Sequence, residues 1–296
     1  MTSRGRAHAV VALYAFLALF VWPVYPHFQS PNELTRWAAD AAIVEHRSLE
    51  IPAPVLSLLL PAFEDLSVVD GRTFSNKAPG LALVALPAYL AARPFAGAPS
   101  PGSLRVTLVA MRLVGSTLPA ILLALLFLRA AVRFGAEESR LPVAVFALLF
   151  ATPFFAYGLL LFSHVLVAAC LFGAFVALFL PASSATARGR ELLAGALLGL
   201  AVLSEYPAAV PALVLIACAA ARKSLPRLLR IVAGGLPFAL LLFAYDAACF
   251  GGPFQLSSAH ERYAGFQDLA GSGLFGVSLP SATIFARLLL DPSKGL

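Results

Sequence analysis

The apolar run Pro79-Gly80-Leu81-Ala82-Leu83-Val84-Ala85-Leu86-Pro87-Ala88-Tyr89-Leu90-Ala91-Ala92 decides how the chain is threaded, because every later segment changes side according to whether this run crosses a membrane. It is short for a crossing: a hydrocarbon core of about 30 Å needs about 20 apolar residues as a helix. Pro87 also interrupts it. Around it lie apolar runs at 8–26, 105–128, 141–157, 163–180, 190–204, 207–221 and 230–249. If the run at 79–92 crosses, Arg188, Arg190, Arg222, Lys223, Arg227 and Arg230 fall outside, while the charge-poor connections 158–162 and 204–206 fall inside. That inverts the positive-inside rule. If it lies in the interface instead, Arg129, Arg133, Arg140, Arg188, Arg190, Arg222, Lys223, Arg227 and Arg230 all join Arg4 and Arg6 in the cytoplasm. The second arrangement is adopted. It predicts an all-α polytopic bundle of about seven spans with a cytoplasmic N-terminus. Residues 1–249 form the spanning module, with a long first external loop at 27–104 that holds two juxtamembrane helices, and 250–296 form an external segment.

The composition belongs to that class. With 60% hydrophobic and only 12% charged residues, the chain departs from soluble domains, in which about a quarter of residues are charged. The apolar runs lack the two-residue alternation of barrel strands, so a transmembrane barrel is excluded. Cys170, Cys218 and Cys249 sit inside apolar runs without metal-ligand or redox spacing and read as packed thiols. No phosphate-binding glycine loop, dinucleotide fingerprint, zinc-protease motif or basic stacking platform occurs, so ATPases, dinucleotide enzymes and nucleic-acid binders find no support. The net charge of +6 reflects sidedness rather than an anionic partner.

Polar residues worth chemistry gather in the external loop. Ser30-Pro31-Asn32-Glu33 has the form of a capping box and starts a helix. Along it Leu34, Trp37, Ala38, Ala41 and Val44 form an apolar stripe, and Glu33, Arg36 and Asp40 share another. Glu33 is thus a cap or an acid-base catalyst, and Arg36 an ion-pair partner or an anion ligand. Further on, Asp70-Gly71 signals a turn, and Lys77 either snorkels to headgroups or binds phosphate. Arg112, inside the second span, pairs with an acid or snorkels outward, and the sequence names no partner. His164 reads as a hydrogen-bonded interfacial residue or a ligand, and Glu205 as a helix-end acid facing a cavity or solvent. His260, Glu261, Arg262 and Tyr263 read as a solvated loop.

The order Pro31-Asn32-Glu33-Leu34-Thr35-Arg36, Asp65, and Asp70-Gly71-Arg72-Thr73-Phe74-Ser75-Asn76-Lys77-Ala78-Pro79-Gly80 resembles the GT-C superfamily of lipid-carrier-dependent glycosyltransferases, which includes protein mannosyltransferases and aminoarabinose transferases. Ser163-His164, Ser204-Glu205-Tyr206-Pro207 and Phe250-Gly251-Gly252-Pro253-Phe254 extend the resemblance over most of the chain. It implies a seven-span module in a bacterial inner (plasma) membrane and a polyprenyl-phosphate sugar donor, with membrane lipids as surroundings and no nucleic acid. The reaction implied is sugar transfer to an acceptor at the outer face. Glu33 takes the role of base, Lys77 and Arg36 bind the donor phosphate, and Asp65, Asp70, Asn76, His164, Glu205 and Tyr206 are candidates for the wall of the site. Asn32 stands where such proteins commonly carry the first of two acids, so a divalent metal is compatible with the sequence without being required by it. Because the superfamily ordinarily has further spans, the resemblance also implies that the chain ending at Leu296 is a piece of a longer one. The competing class is a transporter or lipid flippase, in which Arg36, Arg112 and Glu205 line a path; no internal repeat supports it.

Overall fold

The computed structural model describes residues 2–21, 30–59, 63–98, 100–181, 184–221, 225–271 and 281–291. The end of the first apolar run, the start of the external loop, Arg222, Lys223 and residues 292–296 lie outside them. The described chain is mostly helical. Helix α1 (Ser3–Phe16) passes into a π-helical turn at Leu17–Val21. Helix α2 (Pro31–His46) and the single turn α3 (Ala53–Leu56) precede strands β1 (Leu66–Val69) and β2 (Arg72–Ser75), followed by α4 (Gly80–Ala96). The long helix α5 (Pro101–Arg133) contains a π-helical stretch at Leu113–Thr117. Then come α6 (Leu141–Phe150), the turn α7 (Phe154–Tyr157), α8 (Ser163–Phe179), α9 (Ser184–Ser204), α10 (Tyr206–Ala220) and α11 (Leu225–Phe250). Two peripheral helices, α12 (Ala264–Gly271) and α13 (Ala282–Leu290), follow.

Among the described residues two helices are long and apolar enough to cross a membrane, α5 and α11. Helices α4, α8 and α10 are apolar but shorter. The run at 141–157 is not one helix. Its α-helix stops at Phe150, and the chain turns at 151–153 before resuming, because Pro153 has no amide proton to continue the ladder.

The stretch between α2 and α4 departs from an all-helical plan. Strands β1 and β2 pair antiparallel from Leu66 opposite Ser75 to Val69 opposite Arg72. The turn joining them has Asp70 at φ 50° and Gly71 at φ 79°, the two positive values that a tight hairpin loop demands and that Asp-Gly supplies. Helix α4 runs through Pro87, which leaves the Leu83 carbonyl without its usual amide donor, and ends at Ala96. It does not lie apart from the bundle. Gly115 of α5 faces Leu81 and Ala85 of α4 so closely that an added Cβ would meet Leu81 at 2.9 Å.

Helix α2 likewise runs antiparallel along the first third of α5. The Trp37 indole, fully buried, donates to Thr107 Oγ1 at 2.8 Å, and Glu33 meets Arg112 one turn and a half further along α5. At the far end of α2, Glu45 accepts hydrogen bonds from Tyr89 and Arg93 of α4. Leu34, Trp37, Ala38 and Ala41, the predicted apolar stripe, enter a core shared with Leu81, Leu104, Leu108 and Leu161. Truncating a buried Trp costs about 3 to 5 kcal/mol, so Trp37 alone is a major part of the attachment. A second core joins α1, α5 and α6 through Tyr14, Ala120 and Val145, and a third joins α8, α9, α10 and α11.

Candidate functional site

The site is best built from α2, whose polar stripe turns inward. The Glu33 carboxylate is fully buried, and each oxygen accepts two hydrogen bonds. Oε1 accepts from Arg112 Nε at 2.6 Å and the Leu161 amide at 2.7 Å; Oε2 accepts from Arg112 Nη2 at 2.8 Å and the Ser30 amide at 3.2 Å. The capping box is therefore formed, and the same side chain ties α2 to α5 and to the connection before α8. Both oxygens of Glu33 are thus engaged within the protein, and Arg112 has an acid partner.

One turn on, Arg36 is buried with its guanidinium directed toward the start of α8. Nη1 donates to the Asn32 carbonyl at 2.7 Å and Nη2 to Ser163 Oγ at 3.2 Å, while Nε has no partner among the described residues. Burial lowers its pKa to about 10, and the nearby carboxylates of Glu205, Asp65 and Glu33 resist that fall. It remains a cation at neutral pH. Asp40, the third polar residue of the stripe, is also fully buried, and neither oxygen has a hydrogen-bond partner among the described residues. Burial holds its pKa well above the ordinary carboxylate value, which favours the protonated form.

The hairpin delivers the second cation. Lys77, just past β2, bonds Asp65 Oδ1 at 2.7 Å, and the Asn76 amide nitrogen donates both to the same oxygen and to Glu261 Oε2, the latter at 2.8 Å. Asp65 Oδ2 is left without a partner among the described residues. Glu261 arrives from the far end of the chain because residues 257–262 dock on the hairpin. Ser67 Oγ donates to the Ser257 carbonyl at 2.8 Å, Ser257 Oγ to the Asn76 carbonyl at 2.8 Å, and the Arg262 amide to the Leu66 carbonyl at 2.7 Å. Burial raises the Glu261 pKa; Asn76 and Lys77 oppose the rise and Asp65 adds to it.

The third part comes from the starts of α8 and α10. His164 Nδ1 lies 2.9 Å from Glu205 Oε1, and both side chains remain accessible, at 45% and 29% exposure. The Tyr157 ring meets the His164 ring edge to face at 4.6 Å. Gly80, at the start of α4, is pressed against Ser204: a Cβ there would lie 2.5 Å from Ser204 Oγ. Thr35 Oγ1 donates to Ser75 Oγ at 3.1 Å and so joins the Arg36 helix to the Lys77 strand.

The structure thus gathers Arg36, Lys77, Asp65, Asn76, His164 and Glu205 at one end of the bundle. Asp70 lies apart from them, exposed at the hairpin tip, where its positive φ serves the turn, whereas Tyr206 borders the cluster, its hydroxyl 3.2 Å from Asp246 Oδ1 and also bonded to Ser257. Glu261, read from sequence as part of a solvated loop, is instead a buried member of the cluster. No local signal could reveal that, since its partner Asn76 is 185 residues away. Among the described residues no group of three or more His, Cys, Asp or Glu side chains is arranged to hold a metal ion. Comparison with protein-family models, curated proteins and solved structures finds no match.

Proposed function

We propose that this chain is a membrane glycosyltransferase that moves a sugar from a polyprenyl-phosphate donor to an acceptor hydroxyl at the outer face of the membrane. The observation that carries the reading is the gathering of two cations, Arg36 and Lys77, with the carboxylates of Asp65, Glu205 and Glu261 at one end of the bundle. The resemblance to the GT-C superfamily supports it independently through the order of the same residues.

The donor phosphate binds between Arg36, which offers its unpaired Nε, and Lys77, which offers a point charge. Engaging the phosphate draws Lys77 away from Asp65 and frees that carboxylate. Asp65, whose Oδ2 is already uncommitted, takes the acceptor proton as the new bond from the acceptor oxygen to the sugar carbon forms and the bond from that carbon to the phosphate oxygen breaks. Polyprenyl phosphate leaves with its charge held by the two cations. The base is Asp65 because Glu33 is occupied by Arg112 and two amides.

The seven-span arrangement belongs to this proposal. Its support is the grouping of basic residues: Arg129, Arg133, Arg140, Arg188, Arg190, Arg227 and Arg230 fall on one side when α4 does not cross. In that arrangement Arg112 lies roughly 25 Å along α5 from Arg129, which sets the polar cluster at the outer boundary of the hydrocarbon core.

Binding of polyprenyl phosphate to the purified chain in a neutral detergent tests the site. Lys77→Ala lowers the affinity about 10- to 100-fold, the loss of one charge-assisted contact to phosphate, while the unfolding temperature without ligand changes little. Unchanged affinity in a folded Lys77→Ala variant overturns the assignment.

A further inference from the structure

At the other end of α5, roughly 31 Å along its axis from Arg112 to Arg133, a separate cavity of about 320 Å³ opens between α1, α5 and the start of α6. Leu125 and Leu128 form part of its apolar floor, and Arg4, His8, Arg129 and Arg133 stand around it. Arg129 and Arg133, one helical turn apart, have no hydrogen-bond or ion-pair partner among the described residues and are exposed. Arg4 is shared with Glu138 at 2.5 Å, the one carboxylate that meets these groups among the described residues, and His8 Nδ1 contacts the Arg4 carbonyl at 2.8 Å. Glu137 is engaged by Arg140.

We propose that this cavity is a binding site for the phosphate headgroup of an anionic membrane lipid, independent of the sugar-transfer site. The chemistry is complementary on two counts. Three guanidiniums with one carboxylate among them leave an excess of cations that a phosphodiester neutralises through bidentate contacts. The apolar floor opens beside the exposed Leu125, where the acyl chains of a headgroup bound by Arg129 and Arg133 continue along α5. A soluble phosphate uses only the first of these features. Basic residues at a membrane surface otherwise serve sidedness alone, and a cavity with unpaired guanidiniums beside an apolar floor exceeds that need.

Native mass spectrometry of the whole chain in neutral detergent, titrated with dioleoylphosphatidylglycerol, tests the proposal, with dioleoylphosphatidylcholine and inorganic phosphate as further arms. Phosphatidylglycerol binds in preference to phosphatidylcholine, and Arg129→Gln/Arg133→Gln lowers its affinity roughly 30-fold. Arg6→Gln/Arg188→Gln, which removes the same charge from residues that do not line the cavity, leaves it unchanged. Because Arg129 and Arg133 have no partners to lose, their double variant keeps the wild-type unfolding temperature without lipid. Equal losses in the two double variants overturn the proposal in favour of a diffuse surface charge. Equal binding of phosphatidylcholine, or displacement of the lipid by phosphate at comparable concentration, overturns it as well.

Discussion

Glu33 shows how one side chain can satisfy a local rule and a distant partner together. The spacing from Ser30 made the capping box legible, but Arg112, 79 residues on, was not, because nothing in a single sequence pairs an acid with a particular base. The pairing reverses what a substitution should do. Gln keeps the cap yet removes the carboxylate charge that faces the buried Arg112 guanidinium, so Glu33→Gln is expected to lower unfolding stability by about 3 to 5 kcal/mol. Chemical denaturation in detergent measures it, and Glu33→Gln/Arg112→Met recovers much of the loss. A stable, inactive Glu33→Gln variant would instead return the base role to Glu33. Asp40 makes a second residue-scale prediction. Its folded-state pKa is raised from an ordinary value of 3.8, so the unfolded chain releases this proton first as pH rises, and the group's contribution to stability falls from that pH upward until the folded carboxyl ionises. Asp40→Asn, which cannot ionise, should raise the melting temperature at neutral pH and make no difference below the ordinary carboxylate range. A lower melting temperature at pH 7 would show that Asp40 is charged and paired.

At the scale of elements, apolar runs and caps were the readable signals. The start of α2, the turn at Asp70-Gly71 and the apolar helices at 163–180 and 230–249 were all legible, because each depends on neighbours a few residues apart. The strands flanking the turn were not: four residues each, they are held as much by Ser257 and Arg262 as by their own pattern. Pro87 misled in the other direction, since tertiary contacts with α2, α5 and Ser204 hold α4 helical through it. The packing of α9 on α11 rests on glycine. A Cβ on Gly195 would lie 1.8 Å from the Ile231 carbonyl oxygen, and one on Gly234 would lie 2.0 Å from that of Leu192. Backbones this close leave no room for side chains, as in small-residue helix pairs of membranes. Gly234→Val is therefore expected to destabilise the chain by about 1 to 3 kcal/mol or more, and Gly189→Ala, which meets nothing within 4 Å, by far less. Equal stability of Gly234→Val and wild type would contradict the observed approach of the two helices.

For the whole molecule, the hydrophobic composition and the grouping of arginines speak to sidedness, while the site is a product of tertiary structure. Arg36, Lys77, Glu205 and Glu261 come from four separated stretches and meet only because α2, the hairpin, the start of α10 and residues 257–262 close on one another. The proposed arrangement can be read from single cysteines: Gly97→Cys should react with a membrane-impermeant reagent from outside and Gly189→Cys should not, and the opposite result would invert the assignment of faces. The central claim is sugar transfer at the outer cluster. Its most direct measurement is release of polyprenyl phosphate from a panel of polyprenyl-phosphate sugars by the whole chain in vesicles. Wild type releases it with at least one donor, Asp65→Asn lowers turnover by about 100-fold or more in a protein that stays folded, and Asp65→Glu restores part of it. No release with any donor, or undiminished turnover in Asp65→Asn, would contradict the account.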